Sequence, residues 1–457
     1  MPLIIPANTL SGGYDVANSA RWGGTDNEYM GKTLGTPSNT KKMTWSFWTK
    51  KTRNENDGHL ATVYGDGSNY GTINFTDANK FQVFQYISAS IQLNLITTQV
   101  FRDNSAWSHF VIQMDTTQST ASNRCKVWHN GSQITDWATE TYWAQDTAIK
   151  LNEASATLRI NAVTTSSVYH GYVAEFIMCD GQTYQASDFG EYNSNTPTIW
   201  QPKDPSDLTF GTNGFWLDFK DSANLGNDAN GGTDFSETNF AATAQATDTP
   251  TNNFCTLSPL FNFDGSYTLS EGNLKFLGTG GNDGTASTMA VSSGRWYWEC
   301  EFDGVANTAA AGFSTAELVA NIGTSNPLAI FVGVSYFGNS INFNSSGTSG
   351  TASDGDIYGF YLDLEADSGS KTLKIYQNGS LFATETIPTA REGENFIPIV
   401  ADASSTDSTL IANFGNPILA LSSANADANG YGSFEYSPTL SGVNYYAMCT
   451  KNLAEFG

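Results

Sequence analysis

The chain reads as an all-β protein: two antiparallel sandwiches joined by an ordered linker. Three observations predict this. Helix-forming stretches with a 3.6-residue period are nearly absent, and short alternating runs stand between clusters of Gly, Asn, Asp, Ser and Thr. Asn-Gly dipeptides lie between strand-like runs in "KVWHNGSQI" (126–134) and "KIYQNGSLF" (374–382), which share one grammar 248 residues apart. A length of 457 residues exceeds what one core ordinarily serves, so two or three domains are expected.

Residues 1–20 are read as an N-terminal arm and candidate anchor. "MPLIIPANTLSGGY" has no basic segment and only a short apolar run between Pro2 and Pro6, so it does not read as a secretory signal. The first sandwich is expected over 21–190. In "TWSFWTK", Trp45, Phe47 and Thr49 take one face, and Ser46, Trp48 and Lys50 the other. "FQVFQY" (81–86), "IQLNLI" (91–96) and "HFVIQM" (109–114) continue the strands, and "GYVAEFIMCDG" (171–181) closes the unit. Asn130-Gly131 is a hairpin tip, because a type I′ turn needs positive φ at both central residues. Residues 191–262, rich in Pro, Thr and Asn, are read as the ordered linker, whose Trp200, Phe215 and Trp216 must bury somewhere.

The second sandwich is expected over 263–416. In "RWYWECEF", Trp296, Trp298, Cys300 and Phe302 share a face; "GFYLDLE" (359–365), the Asn378-Gly379 tip and "STLIANFG" (408–415) follow. Trp45 and Trp296 stand 251 residues apart, and the strands opening at Trp107 and Ile357 stand 250 apart. Three elements at nearly one offset predict one strand order in both sandwiches. Residues 417–457, aromatic and turn-rich, form a C-terminal extension expected on the second sandwich or on a neighbouring subunit. Both tips match the Asn-x-Ser glycosylation pattern, but turn chemistry already explains them.

The net charge of −24 argues against nucleic acid and against an anionic membrane surface, since both require a basic face. No run approaches the ~18 apolar residues of a membrane span. The five cysteines are scattered, with no CxxC, and read as free thiols. The four histidines have no metal-ligand spacing, and no metal site is expected from them.

The text "MTWSFWTKK", "WSHFVIQMD", "CKVWHNGSQI" and "GYVAEFIMCDGQ" resembles laminin-G-like, concanavalin-A-like jelly rolls. "SSGRWYWECEFDG", "DGDIYGFYLDLE", "KTLKIYQNGSLF", "FIPIV" and "LIANFG" resemble a SPRY domain. "DTPTNNFCTLSPL" and "YAMCTKNL" resemble an arrangement found in tailed-bacteriophage virion surface proteins of the tail-fibre or head-fibre type. This resemblance implies a non-catalytic structural protein of the virion, made in the host cytoplasm. It would contact other virion proteins and a host cell-surface glycan or receptor, as a homo-oligomer, with trimers common among fibres. No heptads and no Gly-X-Y repeat supply a fibre shaft, so the anchor must be short or another protein supplies the shaft. The alternatives are a glycan-degrading enzyme on the same scaffold and a purely structural connector.

Three features carry candidate chemistry. Glu299, Glu301 and Asp303 alternate along one strand and share a face; glycosidases need two such carboxylates, but a structural role is the plainer reading. Trp137, Tyr142, Trp143 and Asp146 lie in "ITDWATETYWAQD", where aromatics among acids suit sugar stacking; the plainer reading is edge packing. The loops 278–286 and 230–234 could offer oxygens to Ca²⁺, although no EF-hand spacing is present and solvated turns explain them.

Overall fold

The computed structural model describes residues 13–23, 27–54, 57–164, 169–261, 266–279, 283–304, 309–315, 332–337, 340–343, 349–351, 353–365, 371–387, 389–402, 407–438 and 442–457. The chain divides into two compact units at 251/252. Each unit is almost all β, with two antiparallel sheets enclosing a core.

The front sheet of the first unit runs Ser132–Gln133, Cys125–His129, Ser108–Asp115, Lys42–Lys51, Gly171–Asp180, Ser19–Trp22 and Gln245–Ala246. Its back sheet runs Trp137–Thr141, Ser90–Val100, Lys80–Ile87, Asn69–Phe75, Gly58–Asp66, Thr157–Ile160, Tyr29–Thr33 and Ser236–Thr238. The period-two alternation does the sorting: Trp45 and Phe47 enter the core between the sheets, while Trp48 packs on the outer face with Tyr172 and Val16.

The front sheet of the second unit runs Ser380–Thr386, Thr372–Gln377, Asp356–Asp363, Arg295–Asp303, Ser408–Asn413, Lys275–Gly278 and Tyr267–Ser270. Its back sheet runs Asp283–Ala286, Phe396–Asp402, Ala309–Thr315, Val332–Phe337, Ser340–Phe343 and Ser349–Thr351. From the hairpin edge inward, the first six front strands of both units follow each other in the same chain order. The back sheets share a six-strand order as well, Tyr29–Thr33 standing where Asp283–Ala286 does. The two sandwiches therefore have one topology, as the constant offset predicts. Even the cross-strand pair Phe47↔Phe110 returns as Trp298↔Phe360.

Both Asn-Gly tips have the expected backbone: φ is 46° and 78° at Asn130-Gly131, and 48° and 77° at Asn378-Gly379. Each Asn side chain also accepts the amide at the facing strand's start, from His109 at 2.7 Å and from Ile357 at 2.9 Å. The glycines meet a second demand. A Cβ on Gly131 would lie 2.5 Å from the Trp200 ring, and one on Gly379 would lie 2.8 Å from Tyr436. Gly131→Ala should therefore destabilise the first unit by about 1–2 kcal/mol for the left-handed backbone, plus a steric cost of similar size. Gly231→Ala, at φ 81° with open space around the new methyl, should show the backbone cost alone in a urea titration.

The segment expected as a linker does not stand apart. Residues 191–251 belong to the first unit and 252–261 to the second. Phe215–Leu217 pairs with Phe176–Met178, Ser236–Thr238 with Tyr29–Gly31, and Gln245–Ala246 with Ser19–Ala20. The physical reason is burial: Phe210 and Trp216 cover Val111, Ile177 and Cys179 on the outer face of the front sheet. Ser19 and Ala20, within the stretch read as an arm, are wholly buried strand residues; 1–12 lie outside the described residues.

The C-terminal extension covers the outer face of the second front sheet. Phe434, Tyr445 and Ala447 pack on Tyr297, Tyr361 and Tyr376. The two ends of this unit also tie together: Cys255 donates its amide to Met448, Thr450 donates to Asn253, and Phe254 bridges Cys449. All five cysteines are buried.

Candidate functional site

The four residues proposed for sugar stacking do not make one platform. Trp143 is 1% exposed and belongs to the core of the first unit, so its ring offers no face to a ligand. Trp137 and Tyr142 are half-buried and lean on the same core. Asp146 projects outward at φ 64° and pairs with Lys41 at 2.9 Å. The composition of the stretch showed aromatics among acids but not which side of the sheet each takes.

The acidic triplet does share one face, the outer one of the Arg295–Asp303 strand. Trp296, Trp298, Cys300 and Phe302 fill the core on the other side. Glu299 is 2% exposed and its carboxylate is fully engaged. Oε1 accepts the Tyr436 amide at 2.8 Å and the Tyr297 hydroxyl at 3.1 Å; Oε2 accepts the Glu435 amide at 2.8 Å and the Asn413 amide group at 3.3 Å. Burial pushes the Glu299 carboxyl up to about 7, against the pull of these four donors. Glu301 is half-buried and also raised, by burial and then by Asp303 and Glu435; Asp303 is exposed. A cavity of about 90 Å³ is lined by Glu299, Glu301 and Ile411 of the sheet and by Pro417, Leu419 and Glu435 of the extension. Glu299 thus works as an anchor for the extension's backbone, a role with no side-chain signature at 435–436.

The loop 230–234 is likewise engaged in its own closure, since Asp234 accepts the Asp228 amide at 3.0 Å and the Asn224 side chain at 2.8 Å. The loop 278–286 falls partly on 280–282, outside the described residues. Among the described residues, no group of three or more His, Cys, Asp or Glu side chains is placed to hold a metal ion.

Two sites escaped the sequence reading. The first is a buried histidine. His109 stacks on Trp48 with ring centroids 4.6 Å apart, accepts the Trp200 indole N–H at Nδ1 (2.9 Å) and meets the Ser46 hydroxyl at Nε2 (2.8 Å). Its Nδ1 is an acceptor, so Nε2 carries the proton; burial holds the ring neutral, its pKa down to about 3. This is a packing element that seats Trp200 on the hairpin tip.

The second is a cavity of about 220 Å³ at the hairpin end of the first unit, lined by Lys51, Gln99, Phe101, Arg102, Trp107 and Asn130 among others. Lys51 is 6% exposed and donates to Asn79 Oδ1 at 2.7 Å and to the Phe101 carbonyl at 3.1 Å, with its ammonium 4.8 Å from the Phe75 ring centroid. Burial, then the nearby Arg102, lowers its pKa to about 8. The signal was present in "TWSFWTKK": Lys51 continues the inward register of Trp45, Phe47 and Thr49, where a charge is unexpected.

No protein-family model matches the chain, and no curated protein matches it. Among solved structures, a native heptameric SAP-like pentraxin from Limulus polyphemus is 13% identical, over 36% of this chain and 77% of its own, at a TM-score of 0.28. The SPRY domain of human HERC1 is 17% identical, over 34% of this chain and 96% of its own, at 0.26. The TRIM65 PSpry domain is 16% identical, over 35% and 92%, at 0.28. Likenesses this distant say nothing about what this chain binds.

Proposed function

We propose that the chain is a non-catalytic recognition protein of a phage virion surface, with a laminin-G-like jelly roll followed by a SPRY-like domain. It would sit among other virion proteins as a homo-oligomer and meet a host surface glycan or receptor. One observation carries the non-catalytic part: the outer face of each front sheet is overlaid by the chain's own trailing segment. A glycan-degrading sandwich needs an open cleft flanked by two available carboxylates. Here Glu299, the best-placed acid, holds the Glu435 and Tyr436 amides instead. Recognition is then left to the sandwich ends and loops, which a rigid scaffold positions. The virion part rests on the motifs "DTPTNNFCTLSPL" and "YAMCTKNL".

Two measurements test this. Antibody against the chain should label intact particles of the virus that encodes it; particles without label overturn the virion reading. Incubation with acidic and neutral bacterial polysaccharides should release no reducing ends. Release that disappears in Glu299→Gln, with the fold intact, would establish the enzyme reading instead.

A further inference from the structure

We propose that the cavity at the hairpin end of the first unit binds one acidic monosaccharide unit, a hexuronate in size and charge, with Lys51 and Arg102 taking its carboxylate. The charge pattern is the first ground. In a chain of net charge −24, two cations converge on one small cavity. The acid in the same wall, Asp103, accepts the Ser105 amide at 2.8 Å and the Ser105 hydroxyl at 2.6 Å, both on Oδ1. Among the described residues, Lys51 has no carboxylate partner, and its two hydrogen bonds go to neutral oxygens. Burying an ammonium without a counter-ion is costly, and an incoming carboxylate offsets that cost. An ammonium has three N–H donors, so one remains beyond the two bonds it makes.

Size and lining are the second ground. A cavity of about 220 Å³ is smaller than the roughly 300 Å³ at which sites for drug-sized ligands begin, and suits a single ring. Phe101 and Trp107 supply apolar edge, while Gln99 and Asn130 supply the amide groups that hydroxyls require. His129, also in the wall, is held neutral by burial with its pKa down to about 4 and meets the Ser108 hydroxyl at 3.2 Å, so it adds polarity without charge. The cavity lies among the ends of several strands, where the Asn130-Gly131 turn is rigidly set.

This assignment deepens the recognition reading, and the two fail separately, since particle labelling does not depend on this cavity. Calorimetric titration of the full chain near neutral pH should detect D-galacturonate, with D-galactose weaker by about tenfold or more, the value of a lost charge-assisted contact. Lys51→Met should weaken galacturonate by about tenfold or more, and Arg102→Ala, at an exposed side chain that leaves folding intact, by a smaller factor. Acetate serves as the free-carboxylate probe and should bind far more weakly than galacturonate. The proposal is overturned if no probe binds, if galactose equals galacturonate, or if Arg102→Ala has no effect on galacturonate. Acetate as tight as galacturonate overturns the sugar assignment and leaves a plain carboxylate site.

Discussion

Replacing Asp248 by alanine should cost the first unit about 3–5 kcal/mol, the usual penalty for breaking a buried ion pair from one side. Asp248 and Lys50 are both fully buried and meet at 2.7 Å, and the other carboxylate oxygen accepts the Trp107 indole N–H at 2.9 Å. Ser19 adds a bond from its hydroxyl to the Asp248 carbonyl at 2.6 Å. The pair therefore ties the end of the trailing segment to the Lys42–Lys51 strand, and the Ser19 bond ties it to the Ser19–Trp22 strand. Alanine leaves the Lys50 ammonium buried without its carboxylate. Asp248→Asn keeps the shape and an acceptor for Trp107, yet should still lose most of that stability, because the charge is what is missing. Exchanging both partners, Lys50→Met with Asp248→Leu, should recover a large part, since the desolvation cost of both charges is then removed. Denaturant titrations of the three variants decide it: an Asp248→Ala midpoint equal to that of the parent would show the pair to be dispensable.

Glu299→Ala should release the C-terminal extension and lower the stability of the second unit by about 2–4 kcal/mol. Four donors lose their acceptor, and buried donors left unmade cost about 1–3 kcal/mol each, less where water can enter the adjoining cavity. Hydrogen exchange at the Glu435 and Tyr436 amides should quicken in the variant, and unchanged protection there would refute the anchor role. The same carboxyl gives a pH signature. Its folded value is raised to about 7 from an ordinary 4.5, so between these the folded state holds a proton that the unfolded state has lost. Stability must then fall as pH rises through this window, at up to about 1.4 kcal/mol per unit, and level off above it. Glu175, pushed up to about 8 mainly by burial, imposes the same sign on the first unit. Glu299→Gln should flatten the slope of the second unit and leave that of the first intact.

The repeating architecture was legible because it is written in local signals. Alternation at Trp45 and Phe47 separated core from outer face, and the Asn-Gly tips marked the hairpins. Their constant offset gave the shared strand order. What stayed hidden depends on distant partners. Gln245–Ala246 pairs with Ser19–Ala20 across more than two hundred residues, and nothing in its polar composition announces a strand. The amides that occupy Glu299 carry no residue identity at all. Trp143 misled because acids flank it in sequence, while its own side chain turns inward. Lys51 was readable by register, since it continues the inward alternation of Trp45, Phe47 and Thr49.

The way each unit is finished sets an order of events during synthesis. The first front sheet gains its last strand from Gln245–Ala246, and its buried ion pair from Asp248. The second joins Asn253–Cys255 to Met448–Thr450. In both, the closing residues come from the far part of the unit's own stretch of chain. The first sheet and the second clasp are incomplete until residues 245–248 and 448–450 have been made and have reached their partners.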